Sequence, residues 1–140
     1  MVLGLSGCTP AQVVVPESTK QLRAKTGSTE VSGERYVEYT RQTLNESADR
    51  RRVLFFFANW CPTCIPADAN FRANEDRIPE DVVLIRVNYN DTDTDEEEKA
   101  LARKYNVTYQ HTFVQIDQEG NMVTIWNGGA SIDDLLSRIK

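Results

Sequence analysis

The sequence predicts an α/β domain over residues 33–140, a central mixed β-sheet of about four strands flanked by helices. Three observations predict it. Two nearly continuous apolar runs, at 53–58 and 82–87, have the character of strands buried on both faces. Segments with helical spacing or helix caps separate and flank those runs. Near the C-terminus, two β-prone runs bracket a glycine-containing turn, the pattern of an antiparallel hairpin.

Residues 33–48 place Tyr36, Val37, Tyr39 and Leu44 at helix-compatible spacing, with Ser32 as the candidate N-cap. Residues 53–59 form the central strand, and a helix is expected from Cys61 to about Arg77 with Pro66 in its first turns. A second buried strand spans 82–87. Asp93 or Thr94 caps a helix running to about Tyr105, whose first turn carries glutamates where the helix dipole favours them. Runs 112–117 and 122–126 flank Gln118-Glu119-Gly120-Asn121 as a hairpin, and Ile132, Leu135, Leu136 and Ile139 stripe a last helix. The expected order is α, β, α, β, α, β, β, α.

With 140 residues, 40% of them hydrophobic, the chain has material for one core. Its net charge of −5 argues against nucleic acid, which requires a basic face. Arg50-Arg51-Arg52 is the basic run, and beside a strand start it reads as a solvated loop. No apolar run approaches the roughly 20 residues of a membrane span. Asp91, Asp93 and Asp95 imitate the start of a calcium loop, but Glu96 stands where that loop needs glycine and Ala102 where it needs glutamate. A solvated, helix-capping acidic turn is the expectation there.

Trp60-Cys61-Pro62-Thr63-Cys64 carries the chemistry. Cysteines at i and i+3 share one helix face, with Cα atoms roughly 5 Å apart, inside the range a disulfide accepts. Placed where a strand hands over to a helix N-terminus, Cys61 would meet free N–H groups and the positive dipole end, which stabilise a thiolate. The alternative is half of a zinc site, but no second CxxC and no pair of histidines follows.

The element order, with a cysteine pair after its first strand, resembles the thioredoxin fold over roughly residues 33–140. Ala58-Asn59-Trp60-Cys61-Pro62-Thr63-Cys64 is similar to that family's Trp-Cys-x-x-Cys, Tyr105-Asn106-Val107 to its approach to the third strand, and Gly128-Gly129 to its turn into the last helix. The resemblance implies a thiol–disulfide oxidoreductase acting on protein thiols and disulfides without a cofactor, as a monomer recharged by an unidentified redox partner. It makes Cys61 the nucleophile and Cys64 the buried resolving thiol, with Trp60 beside the substrate groove. Pro62 and Thr63 set the redox poise without revealing its direction, since this fold spans roughly 150 mV.

Two positions depart from the family. Where it keeps a cis-proline before a threonine, this chain has His111 before Thr112. A non-proline cis bond costs roughly 2.5 to 4 kcal/mol, so a trans peptide is expected. Phe55 stands where thioredoxins often bury an acid that moves protons for the resolving thiol. His111 could take over that traffic, since an unperturbed histidine titrates near neutrality. Replacing it with proline is expected to restore the family's edge with the fold intact. The alternative function is metal binding, as in metallochaperone relatives, with Cys61, Cys64 and His111 as soft ligands.

The third cysteine has its own context. Leu5-Ser6-Gly7-Cys8 resembles a bacterial lipobox, in which cleavage leaves a lipid-carrying cysteine. Only residues 1–4 precede that tetrapeptide, fewer than the roughly 7 to 15 apolar residues of a signal, so a shortened signal is expected. Residues 9–32 are rich in Ser, Thr, Gly and Pro, as a tether would be. Residues 1–32 are thus expected to be a flexible tail that holds a bacterial domain outside the cytoplasmic membrane through Cys8. Cytoplasmic location with an unmodified tail is the alternative.

Overall fold

The computed structural model describes residues 33–140. The expectations for residues 1–32, including the lipidation of Cys8 and the Ser32 cap, lie outside the described residues.

The central runs form strands as their composition dictates. Strand β1 is Tyr36–Glu38, followed by α1 (Arg41–Glu46), β2 (Arg51–Phe57), α2 (Cys64–Ala73), a 3-10 turn (Glu75–Arg77), β3 (Val82–Asn88), α3 (Glu96–Lys104), β4 (Thr112–Ile116), β5 (Met122–Asn127) and α4 (Ile132–Arg138). The five strands lie in the order β1-β3-β2-β4-β5. Strands β1, β3 and β2 run parallel, and β4 and β5 add antiparallel.

Side chains alternate between two cores because successive Cβ atoms of a strand point to opposite faces. Val53, Phe55 and Phe57 join Ala67 and Phe71 of α2 and Ile132 and Leu135 of α4. Leu54 and Phe56 join Leu101 and Ala102 of α3 on the other face. The backbone N–H of Ile132 donates to Asn70 Oδ1 at 3.0 Å and so ties α4 to α2. In the hairpin, Gly120 takes a φ of +80°, a conformation glycine adopts without steric cost.

The first element differs from the expected helix over 33–48. Tyr36, Val37 and Glu38 pair in parallel with Leu84, Ile85 and Arg86, making the fifth strand. Aromatic and β-branched residues suit a strand, and the backbone N–H groups of Arg35 and Tyr36 are already taken by Glu75 Oε1, at 2.6 and 3.0 Å. Helix α1 begins only after Thr40, whose hydroxyl accepts from the Thr43 N–H at 2.9 Å.

Helix α2 stops at Ala73, short of the expected Arg77, and α3 is capped by Asp95 rather than Asp93 or Thr94. Asp95 accepts from the Glu98 N–H at 2.8 Å and Glu98 accepts from the Asp95 N–H at 3.0 Å, a reciprocal box. The basic run is no solvated loop. Arg51 and Arg52 begin β2, and Arg52 is buried, donating to the carbonyls of Leu44 at 2.9 Å and Gln118 at 3.0 Å as well as that of Asp117. Three carbonyls, one on α1 and two in the β4–β5 turn, take the two terminal nitrogens of its guanidinium, while its buried Nε has no partner among the described residues.

Candidate active site at the β2–α2 junction

Strand β2 ends at Phe57 and the chain turns through residues 58–63 into α2, which Cys64 opens. The Cys61 N–H donates to Ala58 O at 3.1 Å and the Ile65 N–H to Cys61 O at 3.2 Å, so Cys61 sits in the turn that leads the helix. Cys61 and Cys64 are joined by a disulfide with a Cα–Cα distance of 5.2 Å, as the i, i+3 spacing predicts. The Cys64 N–H points at Cys61 Sγ, 3.1 Å away. Early N–H groups of a helix have no intrahelical partner, and here one of them faces the sulfur.

The loop after β3 grips the preceding residues. Asn59 N–H donates to Asp91 Oδ2 at 2.8 Å, its amide to Thr92 Oγ1 at 2.8 Å, and the Trp60 indole to Asn90 O at 2.9 Å. The acidic turn thereby positions the approach to the cysteines, a use the sequence pattern did not reveal. Trp60 is left half exposed, and Ile65 and Tyr109 also show apolar surface beside the pair and His111 along the chain. Pro62 and Thr63 are exposed, while both cysteines are buried.

His111 lies against this junction. Its Nδ1 is 2.8 Å from Thr63 Oγ1 and its Nε2 is 2.8 Å from Gly129 O. The Thr63 hydroxyl is in turn 3.4 Å from Cys61 Sγ. The ring packs edge-on against Phe55 and Phe113, with centroids 5.7 and 5.8 Å away. Among the described residues no peptide bond is cis, so the one before His111 is trans, as expected.

His111 instead takes a φ of +59°, in the left-handed region where histidine is enriched several-fold among non-glycine residues. Its N–H donates to Phe56 O at 2.7 Å and its carbonyl accepts from Gly128 N–H at 2.9 Å. Proline has no N–H and a φ locked near −65°. Both features stand against the expectation that proline fits here with the fold intact. Thr112, next in line, commits its hydroxyl to Tyr109 O at 2.8 Å and accepts from the Asn127 amide at 3.0 Å. It shapes the turn that presents His111.

Phe55 is fully buried and stacks on Phe113 with centroids 4.6 Å apart. Asp68 lies one turn along α2 from Cys64, with its carboxylate turned to Tyr36 Oη at 2.6 Å, Arg72 Nε at 3.0 Å and Arg86 Nη1 at 3.3 Å. Burial alone would raise that carboxyl, but the hydrogen bonds and the two guanidinium charges outweigh it and hold it below the usual carboxylate range.

One donor atom from each of Cys61, Cys64 and His111 falls within 4.8 Å of the others. In this arrangement the sulfurs are bonded to each other and both ring nitrogens are hydrogen-bonded. A cation would need the pair reduced and a ring nitrogen released from Thr63 or Gly129. The carbonyl of Gly129 is the contributor that sequence reasoning missed, since a backbone oxygen leaves no mark in residue identity.

The model of a family described as a thioredoxin-like domain matches residues 39–140. Among solved structures, a thioredoxin from Fasciola hepatica is 34% identical with a TM-score of 0.54, over 70% of this chain and 86% of that one. A thioredoxin pre-protein from Schistosoma mansoni is 25% identical with a TM-score of 0.54, over 74% and 94%. Trxlp of Edwardsiella tarda shares the fold at 17% identity, with a TM-score of 0.57 over 75% and 98%. No curated protein matches the chain.

Proposed function

Because this chain belongs to the thioredoxin-like domain family, we propose that it is a thiol–disulfide oxidoreductase whose Cys61/Cys64 pair acts on protein thiols and disulfides. The observation that carries this reading is the disulfide itself, at the N-terminus of α2 with a helix N–H aimed at Cys61 Sγ. An N–H donor and the dipole end favour a thiolate on Cys61 once the pair is reduced.

In the reducing direction the Cys61 thiolate attacks one sulfur of a substrate disulfide. A Cys61–substrate disulfide forms, and the other substrate sulfur leaves as a thiolate and takes a proton. Cys64, as thiolate, then attacks Cys61 Sγ, restores the internal disulfide and releases the second substrate sulfur. Two electrons and two protons pass from the dithiol to the substrate, and the reverse sequence oxidises one. Trp60, Ile65 and Tyr109 offer the apolar rim against which a polypeptide would lie. The domain works as a monomer recharged by a partner protein, held outside the cytoplasmic membrane through Cys8.

Equilibration with glutathione buffers tests the reading and gives the direction of electron flow. A pair that cycles with the buffer, and that accelerates reduction or oxidation of a protein disulfide in wild type but not in Cys61→Ser, supports it. A pair inert to exchange, or a tight one-to-one complex with copper(I) or zinc under reducing conditions, overturns it.

A further inference from the structure

We infer that Thr63 and His111 form a hydroxyl-relayed proton path to Cys61, with the Gly129 carbonyl holding the imidazole in the one tautomer that makes the path work. The inference rests on Cys61 being the thiol that reacts.

The hydrogen-bond directions follow from the partners. Gly129 O can only accept, so His111 Nε2 carries a hydrogen. In the neutral ring Nδ1 is then a bare lone pair, and the Thr63 hydroxyl donates to it across 2.8 Å. That orientation leaves the oxygen lone pairs of Thr63 free to receive a proton from Cys61, whose sulfur is 3.4 Å away.

Thr63 stands at the N-cap of α2, where a threonine hydroxyl ordinarily accepts a backbone N–H, yet it makes no such capping bond. Its hydroxyl is directed to His111 and Cys61 instead. The ring is also held firmly, by the edges of Phe55 and Phe113 and by a backbone pinned to Phe56 O and Gly128 N. Gly129 reaches its position with a φ of +105°, a backbone that suits glycine.

When the pair is reduced, the Cys61 S–H proton moves to Thr63 Oγ1 as the Thr63 hydroxyl proton moves to His111 Nδ1. The net change is a thiol and a neutral imidazole becoming a thiolate and an imidazolium, with no electrons moved. The reverse step returns the proton when Cys61 is released as a leaving group. Other ionisable groups nearby are Cys64, Asp134, whose Cβ lies about 3.4 Å from where a Gly129 side chain would begin and whose carboxylate accepts from Ser131, and Asp68, which is turned to Tyr36, Arg72 and Arg86. Thr63 touches the reacting sulfur. His111 acts through it and is a positioning residue.

The test follows iodoacetamide alkylation of Cys61 against pH in the reduced full chain, read by mass spectrometry of the Cys61 peptide. This needs no protein substrate, so it reports on the relay independently of whether the chain catalyses exchange. Thr63→Val keeps the shape and removes the hydroxyl, and should move the Cys61 profile to higher pH and slow alkylation at neutral pH by about tenfold. Thr63→Ser should stay within about twofold of wild type. His111→Asn should lose as much as Thr63→Val, and the double variant no more than either alone, because the two residues act as one unit. Nitrogen-15 NMR should show a protonated Nε2 and a bare Nδ1 in the neutral ring. An unchanged profile for Thr63→Val, additive losses in the double variant, or the opposite tautomer overturns the inference. Circular dichroism checks that each variant folds, and the Thr63→Val against Thr63→Ser comparison decides the matter alone if His111→Asn does not.

Discussion

Phe55 and His111 meet edge to face, with ring centroids 5.7 Å apart. Behind them Phe113 stacks on Phe55 at 4.6 Å and Trp126 on Phe113 at 5.4 Å, so the back of the cysteine pair is an aromatic wall that continues into β5. A carboxylate at position 55 would stand among Phe57, Phe71 and Phe113, which donate no hydrogen bond, and beside a His111 ring whose nitrogens are engaged by Thr63 and Gly129, and an unpaired buried charge is costly. Phe55 and His111 are therefore two parts of one packed arrangement. The polar group that faces the pair comes from the approach to β4 rather than from β2.

That arrangement predicts the cost of disturbing the wall. Phe55→Ala should lose about 3–5 kcal/mol, because it removes a fully buried ring and leaves its partners unsupported. Phe55→Asp should be at least as damaging, its carboxyl pushed up by burial. Urea unfolding followed by circular dichroism measures both. A loss under about 1 kcal/mol for Phe55→Ala would mean that the wall collapses around the gap.

Position 111 should reject proline. His111→Pro removes the N–H bonded to Phe56 O and demands a negative φ where the chain has +59°. The expected loss is about 3 kcal/mol or more. His111→Asn, which tolerates the left-handed region, should fold. Thermal unfolding of the two variants side by side decides it, and a His111→Pro protein as stable as wild type would contradict the backbone geometry.

Much of this fold was legible because continuous apolar runs mark strands buried on both faces, and β2 and β3 are of that kind. Strand β1 was not. Its three residues are too few to show a period, and their pairing with β3 comes from tertiary contact. Arg52 reads as a surface charge until the fold brings three carbonyls to it. The cysteine pair was legible from spacing, and His111 from its departure from a family pattern. The bridge from His111 to Thr63 spans 48 positions, and its second anchor is a backbone oxygen, so neither contact could be read from the chain.

Cys8 gives a prediction that depends only on its tetrapeptide context. Expressed from the whole gene in a bacterium, the mature protein should sediment with membranes and begin at a lipid-modified Cys8. Mass spectrometry of the intact chain reads this directly. A soluble product that keeps the residues before Cys8 unmodified would remove the anchor.

Asp68 should make the domain lose stability in acid. Its carboxyl is held below the usual range, so its contribution is complete above the unfolded value of about 3.9 and disappears as pH falls through the folded value. Asp68→Asn should cost about 1–3 kcal/mol near neutrality, and the gap from wild type should close in strong acid. Glu98 works in the opposite sense, since burial raises its carboxyl and favours the fold at low pH. The difference between wild type and Asp68→Asn at each pH isolates Asp68 from it. A gap that does not narrow as the pH falls would show that the Tyr36–Asp68 contact acts without its charge.

The two cysteines should prove unequal despite their common burial. Cys61 follows exposed Trp60, precedes exposed Pro62 and receives the Cys64 N–H, whereas Cys64 lies inside the first turn of α2 with no exposed surface. The thiolate of Cys61 should therefore form below the roughly 8.5 of a free thiol, and Cys61 should be the sulfur that meets substrate. Cys61→Ser is expected to abolish exchange. Cys64→Ser should still attack but lack the group that resolves the intermediate, so mixed disulfides should accumulate with substrate proteins. Non-reducing gels with mass spectrometry of the trapped species measure this. Adducts that accumulate on Cys64 in the Cys61→Ser protein instead would reverse the two roles and place the reactive sulfur inside the helix.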